Sequence, residues 1–204
     1  RSTTTQQSLM NVNAAANTAS SGYSSSRTVR RTTPLATSAL ASSPDAVLYF
    51  GHGGLDRVGR DGILRIQDLP QLDPAGLPAV HFTLSCSVGR FDVPGFESLA
   101  EELVRLSQGA VAVFGPSGTT TLVDADALAV PIVGMLYADN ARLGDATLAA
   151  VQSLGGEYDA SRLFNLLGDP AMRTGAVVEP EPPTPTDPGD GGGVLIPLRC
   201  AASV

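Results

Sequence analysis

The stretch VLYFGHGG, residues 47–54, is an apolar, β-prone run that stops at one of only two histidines in the chain, a histidine held between glycines. Two readings compete. Gly51-His52-Gly53-Gly54 is either an ordinary tight turn after a buried strand, or a strand end that presents an imidazole to a ligand. What surrounds the stretch decides between them.

The run AVLYF (46–50) is continuously apolar, as in strands buried on both faces. PAVHFTLSC (78–86) and GAVAVFG (109–115) are two more such runs. Between them, FESLAEELVRLSQG (96–109) spaces Leu99, Leu103 and Leu106 at i, i+4 and i+7, sets Glu101 and Arg105 together on another face, and ends in Gly109. Strand, amphipathic helix and strand in that order make a βαβ unit with parallel strands. Further helices are predicted at about 124–140, disturbed at Pro131, and at about 143–154. The fold class is therefore α/β. SRLFNLLGDPAM (161–172) closes the globular part with a turn at Gly168-Asp169-Pro170.

Three segments are expected. Residues 1–44 are rich in Ser and Thr and read as a flexible or partly folded N-terminal segment. Residues 45–178 form the domain. Residues 179–204 are a Pro-rich, then Gly-rich linker followed by a short apolar tail, VLIPLRCAASV. The absence of an initiating Met and of a signal segment suggests a mature or excised piece.

The formal net charge of −7, with no clustered basic footprint in the folded part, argues against a nucleic-acid partner. All thirteen basic residues are arginine. With no lysine there is no P-loop, no pyridoxal Schiff base and no Ser-Lys hydrolase. Two cysteines, Cys86 and Cys200, are too few for a disulfide framework. The longest apolar stretch, 127–138, is interrupted by Pro131 and is shorter than the roughly 20 residues of a membrane span.

In an open parallel sheet, ligands gather at the carboxyl ends of the strands. His52 follows the first strand and Cys86 ends the second, so if these strands are neighbours, imidazole and thiol meet at one sheet edge. A thiolate attacks an acyl carbon and an imidazole protonates its leaving group. The backbone N–H groups of Gly53 and Cys86 are candidates for an oxyanion hole. Other readings stand beside this one. A strand cysteine is often a small buried hydrophobe. A zinc site from His52, His81 and Cys86 is opposed by the odd separation of His81 and Cys86, which points them to opposite faces of one strand. Ser117 in GPSGT (115–119) lacks a G-x-S-x-G elbow and reads as part of a polar loop.

VLYFGHGG, HFTLSCSVGRFD (81–92), ESLAEELVRLSQGAVAVFGPSG (97–118), RLGDATLAA (142–150) and FNLLGDPAM (164–172) together resemble, in order and spacing, the gingipain-like cysteine peptidases, family C25 of the caspase-like fold. The resemblance covers about residues 45–173. It implies a three-layer α/β sandwich with a mostly parallel central sheet. It also implies a His52/Cys86 catalytic dyad with Gly53 and Cys86 as oxyanion hole, and a cysteine endopeptidase working through a thioacyl-enzyme on protein or peptide substrates. No cofactor is required, although some members bind calcium. The family is secreted or cell-surface, and its members commonly sit in larger multidomain proteins. Its first strand, and a carboxylate that orients the histidine, lie upstream of the GHG strand. Here residues 1–44 hold no Asp or Glu and Asp45 is the nearest candidate, so the domain is expected to lack its first strand. The rivals are a sortase-like transpeptidase of the same fold acting on exported proteins, and a non-catalytic caspase-like surface module.

Overall fold

A computed structural model describes residues 46–72, 79–136, 141–155, 160–173, 177–178 and 193–200. The N-terminal segment, Asp45 and the linker at 179–192 lie outside the described residues. Strands β1 (Ala46–Gly51), β5 (Ala79–Leu84) and β6 (Ala110–Pro116) form the parallel centre of a six-stranded sheet of order β7-β6-β5-β1-β9-β8. Apart from the exposed Val111, their side chains are largely buried on both faces because helices cover both, which is why they read as mostly apolar runs instead of alternating ones. β7 (Phe164–Gly168) lies antiparallel to β6. β9 (Gly193–Cys200) lies antiparallel to β1, with the two-residue β8 (Val177–Val178) outside it. The sequence reads VLIPLRC as part of a tail; in the structure it is the strand that completes the sheet beside β1.

Alternation along the strands sorts two cores. Ala46, Leu48 and Phe50 of β1 and Val80, Phe82 and Leu84 of β5 face α2 (Leu122–Leu136) and α3 (Leu143–Ser153), meeting Leu128, Ile132, Leu143 and Ala150. Tyr49 and Val113 face the other way, toward α1 (Leu99–Arg105) and a 3₁₀ segment (Ile66–Gln71), and pack with Leu69, Leu99 and Leu103. Helix, sheet and helix make three layers. α1 begins at Ser98, whose Oγ accepts from Glu101 N–H while the Glu101 carboxylate accepts from Ser98 N–H. It ends earlier than the leucine spacing suggests, at Arg105. α2 passes through Pro131, and the predicted positions 137–140 fall outside the described residues. Between β1 and β5 a small antiparallel sheet, β2 (Gly53–Gly54), β3 (Arg57–Val58) and β4 (Leu64–Arg65), rises from the GHGG stretch. A four-residue helix, α4 (Ala160–Leu163), leads into β7.

Candidate active site

β1 and β5 are direct neighbours, and their register pairs Phe50 with Leu84. His52 and Cys86 each lie two residues beyond that pair, so topology alone delivers both to the same sheet edge. Gly51 takes φ 150°, a conformation that favours glycine and turns the chain out of β1. His52 then sits exposed, but its backbone is held. Its carbonyl accepts two hydrogen bonds, from the Tyr49 hydroxyl at 2.7 Å and from the Gly59 N–H at 2.7 Å.

Cys86 is a half-buried free thiol at the exit of β5. The next residue, Ser87, has φ 55°, an uncommon left-handed conformation for a residue with a side chain. Its N–H is tied to the Gly118 carbonyl at 2.9 Å, and Gly89 N–H to the Pro116 carbonyl at 2.9 Å, so the exits of β5 and β6 are joined. The thiol donates to the Thr120 carbonyl at 3.4 Å. Thr120 Oγ1 lies 3.9 Å from the sulfur and donates to the Ser85 carbonyl at 2.6 Å. Thr120 is itself fixed by its neighbour. Thr121 and Asp124 cap α2 reciprocally: the Asp124 carboxylate accepts from Thr121 N–H at 3.0 Å, and Thr121 Oγ1 accepts from Asp124 N–H at 3.2 Å.

The two strand ends touch through Gly53. A Cβ placed on it would stand 2.6 Å from Ser85 Oγ and 2.9 Å from the Cys86 carbonyl oxygen, so only glycine lets the GHG turn lie against the Cys86 backbone. The start of α1 binds both loops, Leu99 N–H donating to the Leu55 carbonyl at 2.7 Å and Ala100 N–H to the Val88 carbonyl at 3.1 Å. Of the candidates from sequence, His52, Gly53 and Cys86 are thus assembled together. His81 is buried within β5, where burial lowers its pKa to about 4. Ser117 Oγ donates to the Leu163 carbonyl at 3.0 Å and is committed to holding its loop against α4. Among the described residues no carboxylate hydrogen-bonds the His52 imidazole, and Asp45 lies outside them. Nor do three or more His, Cys, Asp or Glu side chains among them come together as a group that could hold a metal ion. Sequence reading misses Tyr49, Ser85 and Thr120. Their one signal is position: Tyr49 and Ser85 border the two strand ends, and Thr120 lies in the loop after the third.

The family model for peptidase family C25 matches residues 2–175, and the chain belongs to that family. Among solved structures it is similar to a complex of the pro- and mature domains of Porphyromonas gingivalis RgpB, with a TM-score of 0.62 and 16% identity, covering 71% of this chain and 37% of that one. A crystal structure of the Arg-specific cysteine proteinase gingipain R (RgpB) gives a TM-score of 0.61 at 16% identity, over 76% of this chain and 38% of that one. A third, described only as a protease, gives 0.58 at 15% identity, over 67% and 37%. No curated protein matches. The chain therefore spans less than two-fifths of each of these structures, and at such identities what they establish is the fold, a caspase-like α/β sandwich whose central sheet strands, β1, β5 and β6, are parallel.

Proposed function

We propose that the chain is a cysteine endopeptidase of gingipain type, with His52 and Cys86 as its dyad and the N–H groups of Gly53 and Cys86 as its oxyanion hole. The observation that carries this reading is the close seating of Gly53 on Ser85 and Cys86, which sets the histidine turn against the thiol's own backbone. A second feature supports it. The Gly59 N–H to His52 carbonyl bond makes His52 and Gly59 a hydrogen-bonded pair of the β2–β3 ladder, so at the next pair, Gly53 and Val58, backbone groups point away from the partner strand. The Gly53 N–H is thereby available to a substrate oxygen.

In this mechanism the thiol gives its proton to His52, and the sulfur forms a bond to the scissile carbonyl carbon. Negative charge gathers on the carbonyl oxygen, where the two N–H groups receive it. The intermediate collapses as the C–N bond breaks and the imidazolium protonates the leaving amine. A water molecule then attacks the thioester carbon, giving its proton to His52; the C–S bond breaks and the thiolate regains a proton. Family membership fits a protein that meets protein or peptide substrates outside the cell, within a larger surface protein.

The test is peptide-library turnover with wild type, Cys86→Ala and His52→Ala. Cleavage is expected to vanish in the first variant and to fall on the order of 10²-fold or more in the second. Mass spectrometry of rapidly quenched wild type should find an acyl adduct on Cys86. Wild-type rates in Cys86→Ala would overturn the proposal.

A further inference from the structure

Tyr49 is the one polar side chain of β1, and it is almost wholly buried, at 1% exposure. It lies on the face that packs against α1, among Leu69, Val88 and Leu99. Its hydroxyl is not spent on that core. It reaches the strand end and donates to the His52 carbonyl at 2.7 Å, the atom that also accepts from Gly59 N–H. Burial raises the pKa of the phenol well above its ordinary value, and the nearby Cys86 adds to that effect, so the hydroxyl keeps its proton at any working pH.

This bond addresses a mechanical problem. His52 is exposed and flanked by Gly51 and Gly53, the residues with the greatest backbone freedom. An imidazole on such a turn would wander, and misplacement of about 1 Å is enough to cost roughly 10²-fold in rate. In many enzymes a carboxylate on the imidazole itself restrains the ring. Among the described residues none does so here. The restraint they supply acts one step back, on the main chain. Tyr49 holds the His52 carbonyl from the sheet side and Gly59 holds it from β3.

We infer that Tyr49 is a positioning residue for His52: its buried hydroxyl, through the His52 carbonyl, fixes the backbone from which the imidazole reaches the leaving group. The inference rests on His52 being catalytic, and its test separates the two. Tyr49→Phe keeps the ring that fills the core and removes only the hydroxyl, so the double-mutant cycle with His52→Ala isolates the coupling. Peptide cleavage by Tyr49→Phe is expected to fall about tenfold in kcat, with KM within about twofold. In the His52→Ala background the same substitution should cost nothing further. Alkylation of Cys86 by iodoacetamide should be no slower in the Tyr49→Phe/His52→Ala double variant than in His52→Ala alone. Equal losses in both backgrounds would mean that Tyr49 serves the fold alone, and an unchanged kcat would likewise overturn the inference. If His52→Ala itself matched wild type, the dyad would fail, and Tyr49 with it as a positioning residue. A second measurement uses wild type only: ¹⁵N relaxation at the His52 and Gly53 amides should give order parameters like those of β1, about 0.85, and values below about 0.6 would contradict a held backbone.

Discussion

Gly53 and Ser85 are in such close contact that a single methyl group on the glycine would stand 2.6 Å from Ser85 Oγ and 2.8 Å from Ser85 Cβ. Ser85 is itself fully buried, and its Oγ has no hydrogen-bond partner among the described residues. Neither side can yield freely. The contact is what converts two separate strand ends into one site.

Gly53→Ala is therefore expected to push the GHG turn off the Cys86 backbone. Overpacking of this kind costs about 1–3 kcal/mol of stability. Activity should fall further than stability alone explains, by at least about tenfold in kcat/KM, because the displaced N–H leaves the position proposed for the oxyanion. Adding Ser85→Gly removes the clash with the side chain but not the one with the Cys86 carbonyl at 2.9 Å. Partial recovery in the double variant, read by turnover and thermal melting together, is the expected outcome; full activity in Gly53→Ala would refute the role of this contact.

Thr120 presents two oxygens to the sulfur. Its carbonyl accepts the thiol proton at 3.4 Å, and its hydroxyl waits at 3.9 Å while bonded to the Ser85 carbonyl. Once the thiol loses its proton, the carbonyl has nothing to accept, and only the hydroxyl can turn and donate to the thiolate. Thr120→Val removes that donor without touching the carbonyl. Iodoacetamide should then alkylate Cys86 about threefold to tenfold more slowly at neutral pH, since hydrogen bonds to a charged acceptor are the strong ones. Thr120→Ser should react like wild type. Identical rates in all three proteins would show that the hydroxyl serves the Ser85 carbonyl alone.

The parts legible in the sequence are those where one local rule dominates. β1, β5 and β6 can be read because strands buried on both faces are largely apolar, and α1 because its leucines recur at helical spacing. His52 and Cys86 can be paired because each terminates such a strand. Tyr49 and Thr120 cannot, since their roles depend on a backbone carbonyl and a sulfur brought to them by the fold, the latter across 34 positions of chain. The two-residue strands β2, β3 and β4 are too short to carry a period. β9 is hidden by the Pro- and Gly-rich stretch before it and by Pro197 within it, which sits opposite Val47 in the pairing with β1.

The cap of α1 couples stability to the site. Ser98 is wholly buried, and its side chain both accepts from Glu101 N–H and donates to the Glu101 carboxylate at 2.8 Å. The two helix positions that follow hold Leu55 and Val88, one from each active-site loop. Ser98→Ala should cost about 1 kcal/mol by loss of the cap. Unlike a cap remote from the chemistry, it should also lower kcat/KM by a few-fold at temperatures where the protein remains folded. Denaturant melts and turnover measured on the same sample separate the two effects.

Buried His81 contributes to the acid dependence of the fold. Burial within β5 holds its pKa at about 4, against 6.5 for the free side chain. The unfolded chain therefore takes up a proton below about pH 6.5, and the folded protein only below about pH 4. Between these values the unfolded state binds more protons, so stability rises with pH and is lost as pH falls through that window. Below about pH 4 both states are protonated and this contribution levels off. The loss amounts to roughly 3.5 kcal/mol at most, since each tenfold difference in proton affinity between the two states is worth about 1.4 kcal/mol. Titrating carboxylates add their own slope, so the comparison must be with His81→Leu, in which every other group remains. Urea unfolding from pH 8 to pH 4 should show the variant losing less stability than wild type between pH 6.5 and 4, whatever its stability at pH 8. Parallel curves for the two proteins would mean that His81 titrates alike in both states and that its burial does not govern the acid response.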